Sequence, residues 1–239
     1  MKGSGGFLSE VCLRPLRFVT SRGLVLAAAS LFAASPAQAV LLGPNQTLPL
    51  PGTTVAAEPQ LAGLIIVDEI IPFSFASISD AGTILGTVQQ RIVRSDLDGT
   101  LDFYWRVIND AASAGVIGSF RIGQFVSPEY NANYRTDGLG DVGPQQAHRF
   151  DAPLESYVNF LGFPTAGLLP GDSTFFMFMD TTATAYAPTA IFDVTNSNQT
   201  SISQLFTAYS PANPVPEPAT GLLLGLGLMG AIRRSRRKA

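Results

Sequence analysis

The sequence predicts an all-β protein: one antiparallel β-sandwich or jelly-roll-like domain, flanked by an N-terminal signal peptide and a C-terminal single transmembrane helix. Three observations point there. Short apolar or alternating runs recur through residues 40–214, and no apolar stripe of helical period runs among them. Gly (23) and Pro (17) are frequent for a chain of 239 residues, so turns are plentiful. Hydrophobic residues make up 46 % and charged residues 14 %, apolar enough for a packed core and too apolar for a disordered chain. A single Cys excludes a disulfide framework and a cysteine-rich zinc module.

The expected strands follow in order. Leu61–Val67 and Ile70–Phe75 are apolar and β-branched, and Val88–Val93 follows a Gly-Thr pair. Leu101–Ile108 alternates: Leu101, Phe103, Trp105 and Val107 share one face, and Asp102, Tyr104, Arg106 and Ile108 the other. Phe120–Val126, Leu154–Phe160, Thr174–Met179, Ala190–Val194 and Ile202–Tyr209 continue the series. Asp98-Gly99, Asp137-Gly138 and Pro170-Gly171 mark turns between them.

The two ends differ from the middle in charge. Residues 1–39 carry Lys2, Arg14, Arg17 and Arg22 against Glu10. An apolar run, Gly23–Ala34, follows, and then Ser35-Pro36-Ala37-Gln38-Ala39, in which Ala37 and Ala39 form an A-x-A cleavage site. Residues 1–39 are therefore expected to be a secretory signal peptide cut by signal peptidase. No twin-Arg pair is present, so the general secretory (Sec) route is expected. Cys12 precedes the apolar run and goes with the leader, which leaves a cysteine-free exported domain over 40–214. Residues 215–239 hold three parts in fixed order: Pro216-Glu217-Pro218, an apolar segment 219–232, and a basic cluster opened by Arg233 and Arg234. The two prolines keep the chain extended where a protease would read it. The 14-residue segment would span about 21 Å as a helix, short against a hydrocarbon core of about 30 Å. The cations hold its end on the cytoplasmic side of the inner membrane.

This tail resembles the PEP-CTERM sorting signal of Gram-negative bacteria. The resemblance implies processing near Pro-Glu-Pro by an exosortase, a membrane transpeptidase-like enzyme, and an organism that makes extracellular polysaccharide or biofilm matrix. The blocks Leu101–Asp110, Leu168–Ser173 and Asp180–Tyr186 also resemble segments that recur in exported PEP-CTERM proteins, and they carry no catalytic residue across.

The stretch 40–216 has six Arg, no Lys and 16 Asp or Glu, a net charge of −10. Phosphate backbones repel such a domain, so nucleic acid is not its partner. The lone His148 lies in a polar stretch read as a loop, and no Gly-x-Ser-x-Gly elbow is present, so no nucleophilic triad is expected. Asp96, Asp98 and Asp102 surround a tight turn and are read as turn formers rather than as a glycosidase pair. Calcium is the one cofactor the composition suggests, at Asp96 and Asp98 or at Asp137 and Asp141 in the loop 134–143. Tyr104, Trp105, Tyr130 and Tyr134 are available to stack on sugars, but core packing is the expectation for them. The protein is therefore expected to be a non-enzymatic surface or matrix component, structural or associated with polysaccharide. A carbohydrate-binding module and an extracellular hydrolase are the alternatives.

Overall fold

A computed structural model of the chain describes residues 39–125, 129–152, 155–164 and 167–212. They form twelve strands in two six-stranded antiparallel sheets. The strands are β1 (Val40–Leu41), β2 (Thr47–Pro49), β3 (Gly63–Ser77), β4 (Gly82–Ser95), β5 (Leu101–Asn109), β6 (Ile117–Gly123), β7 (Asn131–Arg135), β8 (Gln146–Ala152), β9 (Glu155–Leu161), β10 (Phe176–Asp180), β11 (Ala185–Asn196) and β12 (Phe206–Ala212). The first sheet runs β1-β7-β10-β5-β4-β3, and the second β12-β11-β6-β9-β8-β2. One 3-10 turn, Pro59–Leu61, precedes β3. No helix among them is long and apolar enough to cross a membrane, and the segment 219–232 lies outside them.

The alternation of β5 decides the packing. Leu101, Phe103, Trp105 and Val107 all enter the core between the sheets. They meet Met177 and Met179 of β10 within their own sheet, and Phe120, Phe160 and Phe192 from the facing one. Trp105 lies 6.2 Å from the ring of Phe120 and 5.9 Å, edge-on, from that of Phe125. Burial of each such side chain contributes about 1.5–3 kcal/mol, so the sandwich is held chiefly by this aromatic layer.

The outer face of the first sheet carries a second, smaller apolar cluster. Leu61, Val93, Tyr104, Phe176 and Phe178 pack together there beneath the segment 53–62. Tyr104 donates from its hydroxyl to the Leu61 carbonyl at 3.2 Å, and Val55 N–H donates to Asp137 Oδ2 at 2.8 Å. The chain entering the domain thus forms a strap over the sheet.

The structure corrects several sequence-based boundaries. Leu61–Val67 and Ile70–Phe75 belong to one 15-residue strand, β3, interrupted by a register shift between Ile65 and Val67 and not by a turn. Residues 134–143 and 143–149 are not simply loops: β7 ends at Arg135 and β8 opens at Gln146. Both strands are polar in composition (Asn-Ala-Asn-Tyr-Arg and Gln-Ala-His-Arg-Phe-Asp-Ala), and it is pairing, of β7 with β10 and β1 and of β8 with β9 and β2, that makes them strands. The turn signals at Asp98-Gly99 and Pro170-Gly171 hold, with Gly99 at φ 75° and Gly171 at φ 92°, where an L side chain is strained.

Candidate functional site

Antiparallel register places one polar residue from each of three strands in a row on the outer face of the first sheet. Asp102 of β5 stands opposite Asp180 of β10, and Asp180 stands opposite Asn131 of β7. Asp180 and Asn131 line a groove of about 440 Å³, together with Asp98, Glu129, Tyr130 and Thr182. Asn131 donates from Nδ2 to Asp180 Oδ2 at 3.4 Å.

Asp102 lies beneath this groove, 0 % exposed. No N–H or hydroxyl donor reaches either of its oxygens. Its polar neighbour is the Asp180 carboxyl, and the two are close enough to hold one proton between them. Burial, followed by the charge of Asp180, pushes Asp102 from its ordinary 3.8 up to about 9. Asp180 is also raised, chiefly by burial, while hydrogen bonds from Asn131 and Asp102 oppose the rise. At neutral pH Asp102 therefore keeps its proton and donates it to Asp180.

The reading of Asp102 as a turn former is thus corrected: it is a strand residue on the buried outer face. Asp98 does form the turn. It accepts from Thr100 Oγ1 at 2.6 Å and from Thr100 N–H at 3.0 Å, and the hydroxyl bond holds it below the usual carboxylate range. Asp96 contributes its backbone N–H to the Ala62 carbonyl at 3.0 Å. Asp137 is engaged by Arg135 at 2.9 Å, and Asp141 accepts from Ser173 Oγ at 2.8 Å and Ser173 N–H at 2.9 Å. Among the described residues no three His, Cys, Asp or Glu side chains are grouped so as to hold a metal ion.

On the far side of the strap, Leu61, Tyr104, Leu139 and Phe176 line a smaller hollow of about 210 Å³ with Arg91 and Arg135. Arg91 lies over the Phe176 ring at 4.6 Å and is paired with Asp68 at 2.8 Å.

His148 sits on β8, half-buried, bonded through Nδ1 to the Thr47 hydroxyl of β2, with its ring centroid 3.8 Å from that of Phe150 at a tilt of 55°. Of the aromatics considered for sugar stacking, Tyr104, Trp105 and Tyr130 are buried, and Tyr134 is half-buried against the core. The exposed aromatics among the described residues, Phe150 (45 %) and Tyr186 (37 %), lie on strands separated by two others.

Of the processing residues, Ala39 is described. Its N–H donates to Glu58 Oε1 at 2.6 Å, and β1 begins at the next residue. Ala37, Pro216, Glu217, Pro218, Arg233 and Arg234 lie outside the described residues.

No curated protein and no solved structure matches the chain. One family description does match. Residues 214–238, which begin two residues after β12 ends at Ala212, carry the PEP-CTERM protein-sorting motif, and the chain is accordingly an exported protein sorted by an exosortase.

Proposed function

We propose that this chain is a non-enzymatic component of the cell surface or extracellular matrix, structural or associated with polysaccharide. Its leader 1–39 is removed after Ala39 on the general secretory route, and its tail is cut near Pro216-Glu217-Pro218. The domain 40–214 then stands outside the inner membrane, cysteine-free in an oxidising compartment. The observation that carries this reading is the sorting motif on residues 214–238, joined directly to the β body.

The geometry supports a binding or structural role over hydrolysis. The carboxyl pair Asp102 and Asp180 is held within hydrogen-bonding contact, and Asp102 is sealed from water. Glycoside cleavage needs two carboxyls about 5 Å or more apart, flanking an accessible bond. The separated exposed aromatics, Phe150 and Tyr186, do not make the row that a sugar-stacking platform uses.

Replacing Glu217-Pro218 by Ala-Ala and following the protein by fractionation tests the sorting step. The expected result is an unprocessed precursor retained in the membrane; unchanged release overturns it. For the polysaccharide association, the exported protein should co-fractionate with matrix polysaccharide and be freed when that polymer is digested. Free protein in an undigested matrix fraction counts against it.

A further inference from the structure

We infer that Glu58 is the binding site for the α-ammonium group that leader removal creates at Val40. The inference rests on the reading that the leader is cut after Ala39, and it gives the new chain end a partner within the fold.

Glu58 stands immediately before the 3-10 turn of the strap and is 5 % exposed. A carboxylate so far out of water is costly unless a cation or several hydrogen bonds offset its lost hydration. No Lys, Arg or His among the described residues forms an ion pair with it. Its oxygens instead accept two hydrogen bonds, at Oε1 from the Ala39 N–H at 2.6 Å and at Oε2 from Gln60 Nε2 at 3.1 Å. The first of these donors belongs to the last residue of the leader. Cutting after Ala39 takes that N–H away and, in the same step, frees a cationic amine at the next residue.

The distances suit an exchange of one for the other. Consecutive backbone nitrogens are joined through a Cα and a carbonyl carbon and stand roughly 3 Å apart. Glu58 Oε1 therefore lies within about 6 Å of the Val40 nitrogen, the range in which opposite charges stabilise each other. Both partners are already held in place. Val40 pairs with Ala132 of β7, and Leu42 donates its N–H to the Tyr130 carbonyl at 3.1 Å. The strap that carries Glu58 is tied to the first sheet by the bonds from Tyr104 to Leu61 and from Val55 to Asp137. Little freedom is then lost when the two charges meet. The free α-amine has an ordinary pKa of about 8 and is charged at neutral pH. The ion pair would fasten the strap to β1, so that the body is more stable after the leader is removed than before.

The test uses the chain 40–239 in a mild neutral detergent, released from a fusion that leaves Val40 as its first residue. Lys238 is the one other primary amine of that chain, because the stretch 40–237 contains no Lys. Brief acetylation read by mass spectrometry compares the two amines directly. Relative to Lys238, the Val40 amine should react at least about tenfold more slowly in the folded chain than in urea, the factor that one pKa unit of pairing gives. Glu58→Gln should remove most of this protection. In a Lys238→Arg background, where only Val40 is modified, complete acetylation should lower the unfolding midpoint by about 3 °C or more. That shift is read on the Glu58 chain itself, so it decides the matter should Glu58→Gln fail to fold by circular dichroism. N-terminal sequencing of the exported protein separates the two readings. A terminus other than Val40 overturns the leader reading and this inference with it. A Val40 terminus whose amine is unprotected, is equally protected in Glu58→Gln, or can be acetylated without a shift in midpoint overturns this inference alone.

Discussion

Asp102 of β5 and Asp180 of β10 face each other across an antiparallel strand pair, their carboxyls in hydrogen-bonding contact and Asp102 wholly out of reach of water. This pair sets the pH behaviour of the folded protein. Asp102 rises from 3.8 to about 9 in the fold, so the folded state holds a proton that the unfolded chain has already released at neutral pH. Its contribution to stability is complete below about pH 4 and is lost as pH rises through 9; Asp180, also raised, acts in the same direction. The unfolding midpoint should therefore fall between pH 5 and pH 9, and Asp102→Asn should flatten that slope. Carboxylates held low, such as Asp98 and Asp141, lose their stabilisation only below about pH 4 and do not obscure this window. A wild-type profile that is flat from pH 5 to pH 9 would refute it.

Trp105 is the only tryptophan and is 2 % exposed at the centre of the aromatic layer. Truncation to Ala leaves a cavity facing Phe103, Phe120 and Phe125, and should cost about 3–5 kcal/mol. In the intact protein its fluorescence should be blue-shifted and shielded from iodide. Emission near that of free tryptophan in the folded state would contradict the packing described.

Arg121 and Asp193 pair across β6 and β11 through two bonds of 2.6 Å, with Asp193 nearly inaccessible and Arg121 partly exposed. Asp193→Ala leaves the guanidinium uncompensated and should destabilise by about 1–3 kcal/mol. The double replacement Arg121→Met, Asp193→Leu should cost less than the single one, because no orphan charge remains. Denaturant midpoints at constant slope distinguish these outcomes.

Gly99 turns β4 into β5 at φ 75°, and a Cβ built there meets nothing within 4 Å. Gly99→Ala therefore isolates backbone strain from packing, with an expected loss of about 1–2 kcal/mol. Gly86 differs: its Cβ would lie 2.4 Å from Cζ of the Phe73 ring and 2.3 Å from the Ile108 carbonyl oxygen, so Gly86→Ala should disturb the β3–β4–β5 pairing itself. Equal costs for the two substitutions would argue against this division.

Much of the architecture was legible from one dimension. The alternation Leu101-x-Phe103-x-Trp105-x-Val107 has the period of a strand, and it alone assigns the core face of β5. Asp98-Gly99 reads as a turn because glycine is free to adopt the positive φ it needs. The tail motif was equally plain, since its parts are contiguous and recognised as an extended peptide, a hydrophobic segment and a charge cluster. Strands β7 and β8 were not legible. Their residues are polar, and their backbone groups are satisfied by partners elsewhere in the chain, β7 by β10 and β1 and β8 by β9 and β2.

Local periodicity and contiguous motifs are written along the chain, and they suffice to give an all-β body, its inward-facing strand residues and the sorting motif at its end. Which carboxylates meet is settled by the folded sheet alone. Asp102 and Asp180 lie far apart in sequence and next to each other in the sheet, and strand register, a long-range pairing that local spacing does not encode, is what brings them together.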